Sequence, residues 1–337
     1  MGVPQGSILG PLLYVIFTNE LPEDVHDHLP QDRALFNTMC KECGTIYCYA
    51  DDSTYTFSAK DPQELTMVIA NKYQNIANYM SQNKLVLNSN KTHLLIIASL
   101  QKHRKHGNFG VLLDTGAEIL EPIDNEKLLG AKISNDFLWN LHIRDDETSM
   151  FRNLTSKINA LRKVSQFANF KTRKMVASGL IMSTIMYIIQ VYGGCSGYLL
   201  SMLQVLQNKA ARCVTRLPWL TPTRTLLAQL GWLSMKQMVM YYTLVLLFKV
   251  KIDKKPVYIY KQLGINKGRN TRIETERVES NMIKDTRNFQ KGTTKKTFIP
   301  RAISDWNSLP VNLRQIEDVQ TFKNQLRLWI VENVPVK

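Results

Sequence analysis

The stretch Tyr-Cys-Tyr-Ala-Asp-Asp-Ser-Thr at residues 47–54 (YCYADDST) places two adjacent carboxylates between two short runs rich in Tyr, Ile and Thr. These runs predict two strands, at residues 45–50 and 53–57, joined tightly at Asp51-Asp52. A two-residue hairpin turn usually contains glycine, which this turn lacks, so turn propensity alone does not account for the acidic pair. A divalent cation with oxygen ligands would relieve the repulsion between the carboxylates, and a solvated polar turn is the alternative.

The residues around this pair predict a mixture of helices and strands. An apolar run at residues 11–18 predicts a helix. Asp61-Pro62-Gln63-Glu64 is typical of a capping box with proline at the first helical position, and the apolar spacing beyond it predicts a helix to residue 83. A short buried strand is predicted at residues 92–98, and paired strands across residues 111–133, punctuated by Gly116, Pro122 and Gly130.

Beyond Trp139 the apolar spacing becomes that of helices, including one at residues 235–251. The segment 175–202 holds no charged residue, but its Ser, Thr, Gln and Gly content favours a buried core helix over a membrane-spanning one. The tail from Phe298 holds enough apolar residues to dock back onto the helices. The residues predicted to face the core are Leu154, Ile158, Leu161 and Val164; Leu199, Leu203, Leu206, Ala210, Cys213 and Leu217; and Trp306, Leu309, Phe322, Leu326 and Trp329.

Charge is unevenly distributed along the chain. The net charge is +15, yet residues 1–100 hold 6 Lys and Arg against 10 Asp and Glu, whereas residues 251–301 hold 14 against 5. A basic C-terminal part is typical of proteins that bind nucleic acid, and solvated lysines without a partner are the alternative. Residues 252–297 predict a mobile linker or basic arm.

The five cysteines are few and odd in number, which argues against a disulfide framework, and the first residues carry no secretory signal. We therefore expect an intracellular protein, in the nucleus or cytoplasm. Cys40 and Cys43, with His26 and His28 upstream and Cys48 nearby, offer a zinc site as a further alternative. The His-x-His spacing is unusual for a structural zinc site, so we favour that alternative least.

Several motifs, taken in order, resemble those of one family. GVPQGSILGPLLY at residues 2–14, YADD at 49–52, LVLNSNKT at 85–92 and LLGAKIS at 128–134 resemble the successive palm motifs of reverse transcriptases from jockey-like non-LTR retrotransposons. DFLWNLHI at 136–143 resembles the segment after the palm, and the stretches at 206–234 and 298–310 resemble the helical continuation. The resemblance implies an α+β fold, with a partial right-hand polymerase palm (helix, β-hairpin, helix, strand) followed by a mostly helical thumb and C-terminal region.

The resemblance also implies an activity. It is RNA-directed DNA synthesis, the transfer of a nucleotide from a dNTP to the 3′-hydroxyl of a DNA primer on an RNA template, with Mg²⁺ (or Mn²⁺) as cofactor and no membrane partner. Asp51 would be the catalytic metal ligand, with Asp52 as a supporting carboxylate, and Lys91 would protonate the leaving pyrophosphate or neutralise its charge. The implied substrate contacts are Pro4, Gln5, Gly6 and Ser7 over the templating base and nucleotide, Tyr49 and Ala50 against the primer end, and Leu128, Leu129 and Gly130 in a primer-grip hairpin.

The implied domains are a partial palm with the primer-grip hairpin (1–135), a helical thumb (136–251), a basic linker or arm (252–297) and a docking segment (298–337). Family members carry an earlier palm strand with the first catalytic aspartate, which would also cover the edge of the YADD hairpin, whereas this chain begins at the GVPQGS loop. Because a two-metal mechanism needs carboxylates from both strands, we expect an N-terminal segment to be missing and the chain to be inactive by itself. The alternative is a non-catalytic nucleic-acid-binding remnant that uses the basic thumb and arm.

Overall fold

The computed structural model describes residues 9–17, 45–50, 52–59, 61–106, 111–114, 119–263, 283 and 297–336. They divide into two units, the first made of Met1–Leu128 and Ile133–Phe137, the second of Leu129–Lys132 and Leu138–Lys337. The division into four functional domains stays a prediction.

Short helices and strands alternate in the first unit and at its boundary with the second. The strands pair two by two: β1 with β2 and β4 with β5 are antiparallel, β3 with β6 is parallel, and β7 pairs with β8. Among the described residues the fold is therefore α+β with small sheets, while the arrangement as one palm sheet stays a prediction. The elements are α1 (Gly10–Phe17), β1 (Thr45–Tyr49), β2 (Asp52–Thr56), α2 (Pro62–Gln82), a 3₁₀ turn (Ser89–Lys91), β3 (Leu94–Leu95), α3 (Leu100–His106), β4 (Leu113–Asp114), β5 (Ile119–Leu120), β6 (Pro122–Ile123), β7 (Asn125–Leu128) and β8 (Ala131–Ser134).

The predicted local elements of this part are confirmed where short-range signals were strong. The helix α1, the hairpin β1–β2 and the helix α2 lie within one residue of their predicted bounds. The side chain of Asp61 caps α2 by accepting a hydrogen bond from the Glu64 N–H at 2.8 Å, as the sequence predicted. The predicted strand at 92–98 was too long, because only β3 is paired with another strand. Pro122 is the first residue of β6, directly after the break that ends β5, and lies opposite Leu94.

The helix α2 supplies much of the core of the first unit. Its Ile76 and Tyr79 are buried against partly buried side chains that include Ile46 and Tyr55 of the hairpin. Two turns before Ile76, Ile69 is buried in a second cluster whose other buried members are Ile96, Val111 and Leu113. The β1–β2 hairpin therefore packs against one side of α2, the helix that Asp61 caps.

The second unit is helical apart from its contribution to the β7–β8 hairpin. A π-helical turn (Leu141–Asp145) precedes the first long helix. The helices are α4 (Met150–Ser165), α5 (Phe170–Ala177), α6 (Ser183–Met186), α7 (Ile189–Tyr192), α8 (Gly197–Thr215), α9 (Thr223–Leu230), α10 (Met235–Asp253), α11 (Val257–Gln262), α12 (Phe298–Asn307), α13 (Val311–Arg314) and α14 (Val319–Asn333).

The core of this unit forms where α8 packs against α4 on one side and α10 on another. The predicted core residues Leu154, Ile158 and Leu161 of α4 are buried, and so are Leu199, Leu203, Leu206 and Ala210 of α8. Val164 was wrongly predicted, since it is 44% exposed and Ser165 takes the buried position in the last turn of α4. Cys213 is only partly buried, and Leu217 follows the end of α8 at Arg216, which has a left-handed φ of 59°.

The uncharged segment 175–202 is buried in part but is not one helix. A π-helical turn (Ser178–Met182) connects α5 to α6, and the chain then breaks at Tyr187 and Ile188, where Ile188 has a φ of 48°. None of the helices described is both long and apolar enough to cross a membrane. The apolar side chains of this segment instead join the core, with Ile181, Ile185 and Tyr192 fully buried.

The stretch at 206–234, which resembles the family's helical continuation, is tied together by buried amides. Gln207 donates from Nε2 to the carbonyl oxygen of Leu233 at 2.8 Å, and Asn208 donates from Nδ2 to Thr223 Oγ1 at 2.9 Å. Gln204 accepts a hydrogen bond from the Met235 N–H at 2.8 Å. A buried polar group is costly unless it is paired, so these bonds fix the path of the chain from α8 to α10.

The C-terminal segment docks onto α10, as predicted from its apolar residues. Phe322 of α14 stacks on Phe248 of α10 with ring centroids 4.1 Å apart, and Trp306 of α12 lies beside both. The predicted basic arm is not entirely a separate linker. Ile283 is buried and exchanges two hydrogen bonds with the side chain of Asn307, at 3.0 and 2.9 Å.

Candidate active site and nucleic-acid surface

The acidic pair lies at the tip of the β1–β2 hairpin. The register pairs Tyr49 with Asp52, so Asp52 is the first residue of β2 and not part of the turn as predicted. Ala50 and Asp51 separate the two strands, and Asp51 itself lies outside the described residues. Ala50 has a φ of 52°, in the left-handed region. For a residue other than glycine this conformation costs about 1 kcal/mol, so the turn holds a strained residue next to the acidic pair.

The two faces of the hairpin differ. Because side chains alternate along a strand, Ile46 and its partner Tyr55 point to one face, where they pack against α2. Burial there raises the pKa of Tyr55 to about 12, so its hydroxyl stays protonated. Tyr49 and Asp52 belong to the alternating positions on the other face, and both are exposed, Tyr49 to 67%. The face that carries the acidic tip is therefore open to a ligand.

Asp52 suits a magnesium ion in its chemistry. It is an exposed carboxylate on a paired strand, and Mg²⁺ prefers oxygen ligands and usually takes only one or two carboxylates from a protein. The described residues contain no cluster of three or more His, Cys, Asp or Glu side chains that could hold a metal. Of the alternative zinc ligands, His26, His28, Cys40 and Cys43 lie outside the described residues, and Cys48 is exposed.

Lys91 ends the 3₁₀ turn that follows α2, and its side chain is exposed. Its backbone N–H donates to the carbonyl oxygen of Asn88 at 3.0 Å, and Thr92 Oγ1 donates to the same oxygen at 3.0 Å. The turn is thus fixed by its backbone, and the ammonium is left for other contacts. Pro4, Gln5, Gly6 and Ser7 lie outside the described residues.

Leu129 and Gly130 form the tip of the β7–β8 hairpin. Both have positive φ, 46° and 80°, which is the pair of conformations that a two-residue type I′ turn requires. Tyr187, at the break between α6 and α7, donates its hydroxyl to the carbonyl oxygen of Leu129 at 2.5 Å. A Cβ on Gly130 would lie 3.3 Å from Cε1 of the same tyrosine, so this tip needs glycine for two reasons.

Lys132, two residues beyond this tip, is held by the stretch that includes DFLWNLHI. Its ammonium pairs with Asp146 at 2.7 Å, and its backbone N–H donates to Nδ1 of His142 at 3.3 Å. The hydrogen bonds from Lys132 and Thr148 hold the pKa of the Asp146 carboxyl well below its usual range. Burial, and then the nearby charge of Lys132, lower the pKa of His142, so its ring is neutral and can accept.

The sequence did not predict these attachments of the tip. Tyr187 lies in a segment that was predicted as a plain core helix. The ring of Trp139 meets that of His142 edge-on, with centroids 5.8 Å apart, which gives the Trp and His of the DFLWNLHI stretch a joint structural role. The signal that could have revealed this role was the pairing of an aromatic and a titratable residue three positions apart, within reach of one helical turn.

Comparison with known proteins finds a family that matches the first part of the chain. Residues 1–133, which include both hairpin tips, match the family described as reverse transcriptase (RNA-dependent DNA polymerase). The match to the reverse transcriptase family is confined to these residues. The matched segment includes Tyr49, Ala50, Asp52, Lys91 and the Leu129–Gly130 tip.

Relatives of the chain come from insect transposons. It is similar to a probable RNA-directed DNA polymerase from transposon BS of Drosophila melanogaster, 24% identical over 243 residues, which are 72% of this chain and 25% of that protein. It is also similar to the RNA-directed DNA polymerase from mobile element jockey of Drosophila funebris, 25% identical over 224 residues (66% and 23%). A third relative is the probable RNA-directed DNA polymerase from transposon X-element of Drosophila melanogaster, 21% identical over 226 residues (67% and 23%).

The chain therefore spans about a quarter of the length of the curated relatives it matches. No solved structure matches the chain. The predicted resemblance to jockey-like reverse transcriptases is confirmed by the family match and by these relatives. The predicted roles of individual residues stay predictions.

Proposed function

We propose that the chain carries part of the active site of an RNA-directed DNA polymerase, with the tip of the β1–β2 hairpin as its catalytic element. The observation that carries this proposal is the exposed pair of Tyr49 and Asp52 at a strained turn, within a segment that matches the reverse transcriptase family. A strained turn persists only where the surrounding structure enforces it, and such turns are concentrated at functional sites.

In the proposed reaction the primer 3′-hydroxyl oxygen attacks the α-phosphorus of a dNTP, loses its proton to solvent, and displaces pyrophosphate. Asp51 and Asp52 supply carboxylate oxygens that would hold Mg²⁺, which when bound offsets phosphate charge and orients the phosphates. Tyr49 would lie against the primer end. Lys91 would donate a proton to the departing pyrophosphate or neutralise its charge. The reaction would take place inside the cell, in the nucleus or cytoplasm.

The Leu129–Gly130 tip has a proposed role in holding the primer. Its backbone is fixed from two sides, by the turn itself and by the Tyr187 hydroxyl, and Leu129 is 44% exposed. A rigid exposed tip of this kind suits contact with a primer strand, since a contact between rigid groups loses little conformational entropy.

We further propose that the chain does not synthesise DNA by itself. The two-metal mechanism needs carboxylates from two strands, and the motifs of this chain supply those of the YADD hairpin alone. The test is primer extension on an RNA template with Mg²⁺ and the full chain. No extension is expected, and extension that is abolished by Asp51→Asn would overturn this part of the proposal.

The catalytic role of the hairpin has its own test. The segment of the Drosophila funebris jockey polymerase that precedes the region of similarity is fused before residue 1, and extension is measured again. Extension should now occur and should fall at least about 100-fold with Asp51→Asn, since lost electrostatic stabilisation at a reaction centre has this size. Glu121→Gln removes an exposed carboxylate elsewhere in the first unit and should leave extension unchanged.

A second readout does not need catalysis. Mn²⁺ is spectroscopically visible and has ligand preferences close to those of Mg²⁺. Its binding to the full chain is followed by electron paramagnetic resonance. Binding should weaken in the double variant Asp51→Asn with Asp52→Asn and should persist in Glu121→Gln. Equal binding by both variants would overturn the assignment of the acidic tip as a metal site.

The second candidate function, a non-catalytic nucleic-acid-binding remnant, is favoured by the charge distribution. With 14 basic and 5 acidic residues across 251–301, this region should bind duplex with a steep salt dependence. Because Leu263 and Ile283 are buried, the charges are best removed by substitution, for example Lys267→Gln with Arg269→Gln and Arg272→Gln, and not by deletion. The remnant would be favoured by three results together. Duplex binding would survive Asp51→Asn, it would weaken in this triple variant, and the fusion protein would fail to extend primers.

A further inference from the structure

A basic groove lies on the second unit, away from any residue that the sequence singled out. The last turns of α8 present Lys209, Arg212, Cys213 and Arg216, at a spacing that places them on one side of the helix. The groove has a volume of about 240 Å³ and opens to solvent. Its remaining lining comes from Arg162 and Ser165 in the last turn of α4 and from Trp219 after α8.

The groove concentrates positive charge without compensation. Four of its lining residues are cationic and none is acidic. In the described part of the chain, none of these four cations forms an ion pair with a carboxylate. Arg173 adds a fifth positive charge close enough to interact with Arg216. Burial, and then the charge of Arg216, lower the pKa of Arg173. Like charges held close together repel, and a bound anion removes that cost.

Two of the cations have structural roles and two do not. Arg216 donates to the carbonyl oxygens of Ser165 and Gln166 at the end of α4. Arg212 donates to the carbonyl oxygen of Trp219 at 3.0 Å and lies 4.6 Å from the centre of its ring. The side chains of Arg162 and Lys209 make no hydrogen bond or ion pair within the residues described, so they are the candidates to bind an anion.

Exposed apolar side chains lie in the groove and next to it in the chain. Trp219 is 69% exposed and Leu220 is 90% exposed, although Arg212 fixes the position of the tryptophan. Phe167, next to one of the carbonyls that Arg216 holds, is 91% exposed. A flat aromatic ring beside cations is the combination that single-stranded nucleic acids use, with phosphates on the cations and bases stacked on the rings. An inorganic anion would contact the cations alone and leave the ring exposed.

We propose that this groove binds a single-stranded segment of RNA or DNA, with a phosphate between Arg162 and Lys209 and a base stacked on Trp219. The groove, at about 240 Å³, has room for about one nucleotide unit. This inference deepens the proposed function, because it assumes that the second unit handles nucleic acid. It identifies a contact for a strand outside the primer–template duplex.

The test measures binding of fluorescein-labelled 12-nucleotide oligo(U) and oligo(dT) to the full chain by fluorescence anisotropy at several salt concentrations. The variant is Arg162→Ala with Lys209→Ala, and the control is Lys163→Ala with Lys171→Ala, which removes two exposed charges of the same unit that do not line the groove. The groove variant should weaken binding about 10-fold and lower the salt slope by about 0.7, the value for one phosphate contact on a single strand, whereas the control should change binding less than about 2-fold. Arg212 and Arg216 are left intact because they hold backbone carbonyls.

The stacked base has a separate test. Trp219→Ala should weaken binding by about 5- to 100-fold and Trp219→Phe by much less. An abasic oligonucleotide should bind Trp219→Ala and the unaltered chain equally. Binding of oligo(U) over oligo(dT) would identify RNA as the ligand, and the reverse preference DNA.

Three outcomes would overturn the proposal. They are equal weakening by the groove and control variants, no effect of Trp219→Ala, and competition by polyglutamate as effective as that by unlabelled oligonucleotide. Because none of these measurements needs DNA synthesis, failure of the groove is distinguishable from failure of the proposed polymerase function.

Discussion

Replacing His142 by asparagine should remove part of the acid sensitivity of the second unit. Nδ1 of His142 accepts the Lys132 N–H, and the Lys132 ammonium lies close by. Protonation would turn Nδ1 into a donor facing a donor and add a second positive charge beside Lys132. The fold therefore disfavours the charged ring, which is why the pKa of His142 lies below its ordinary value of 6.5.

The sign and size of the effect follow from this depressed pKa. The unfolded chain binds a proton near pH 6.5 while the folded chain does not, so stability is complete above pH 6.5 and falls as the pH drops below it. If the His142 ring stayed neutral in the folded state, the folded chain would lose about 1.4 kcal/mol of stability between pH 7.5 and 5.5. Because the ring is only half-buried, solvent screening reduces the expected loss to about 0.7 kcal/mol.

The assay is urea unfolding at both pH values, followed by tryptophan fluorescence. All five tryptophans lie in the second unit, so the signal reports that unit. Asparagine keeps an oxygen where Nδ1 accepts but does not titrate, and comparing the two chains cancels other groups such as Asp305, whose pKa burial raises to about 6. The loss on acidification should be smaller in His142→Asn by about 0.7 kcal/mol. An identical loss in both chains would refute the reasoning.

The remaining predictions concern the fold. Gly130→Ala should destabilise the chain by about 1–2 kcal/mol in urea unfolding, because its φ is left-handed and Tyr187 lies in the way, while Gly179→Ala, with open space at its Cβ, should be neutral or stabilising. Equal effects of the two would contradict the account of the β7–β8 tip. Phe322→Ala should cost about 3–5 kcal/mol through the cavity left beside Phe248. Leu328→Ala, at a position 65% exposed on the same helix, should cost less than about 0.5 kcal/mol, and a similar loss in both variants would contradict the docking of α14.

The sequence was sufficient where the determinants are local. The capped start of α2 at Asp61 and the alternating residues of the β1–β2 hairpin depend on neighbours a few positions away, and both were predicted within one residue. Likewise the apolar spacing in α10 and α14 sufficed to predict docking of the C-terminal segment.

The sequence was insufficient where the structure depends on contacts between residues far apart in the chain. Helical spacing placed Val164 in the core, but Ser165 is buried and Val164 exposed in the last turn of α4, a helix that packs against α8. The uncharged composition of 175–202 could not reveal the break at Tyr187, which bonds to a tip 58 residues earlier. Net charge pointed to nucleic acid without showing that Lys209 and Arg162, from separate helices, share one groove.

The turn at Ala50 has a consequence for strand register. If β1 and β2 slipped by one residue, every side chain would change faces, and Asp52 would turn toward the apolar surface of α2. Glycine at the turn would open further backbone conformations through which the strands could re-pair, whereas the methyl group of alanine narrows that choice. The alanine at this turn and the packing of Ile46 and Tyr55 on α2 together give the acidic tip one orientation in the folded hairpin.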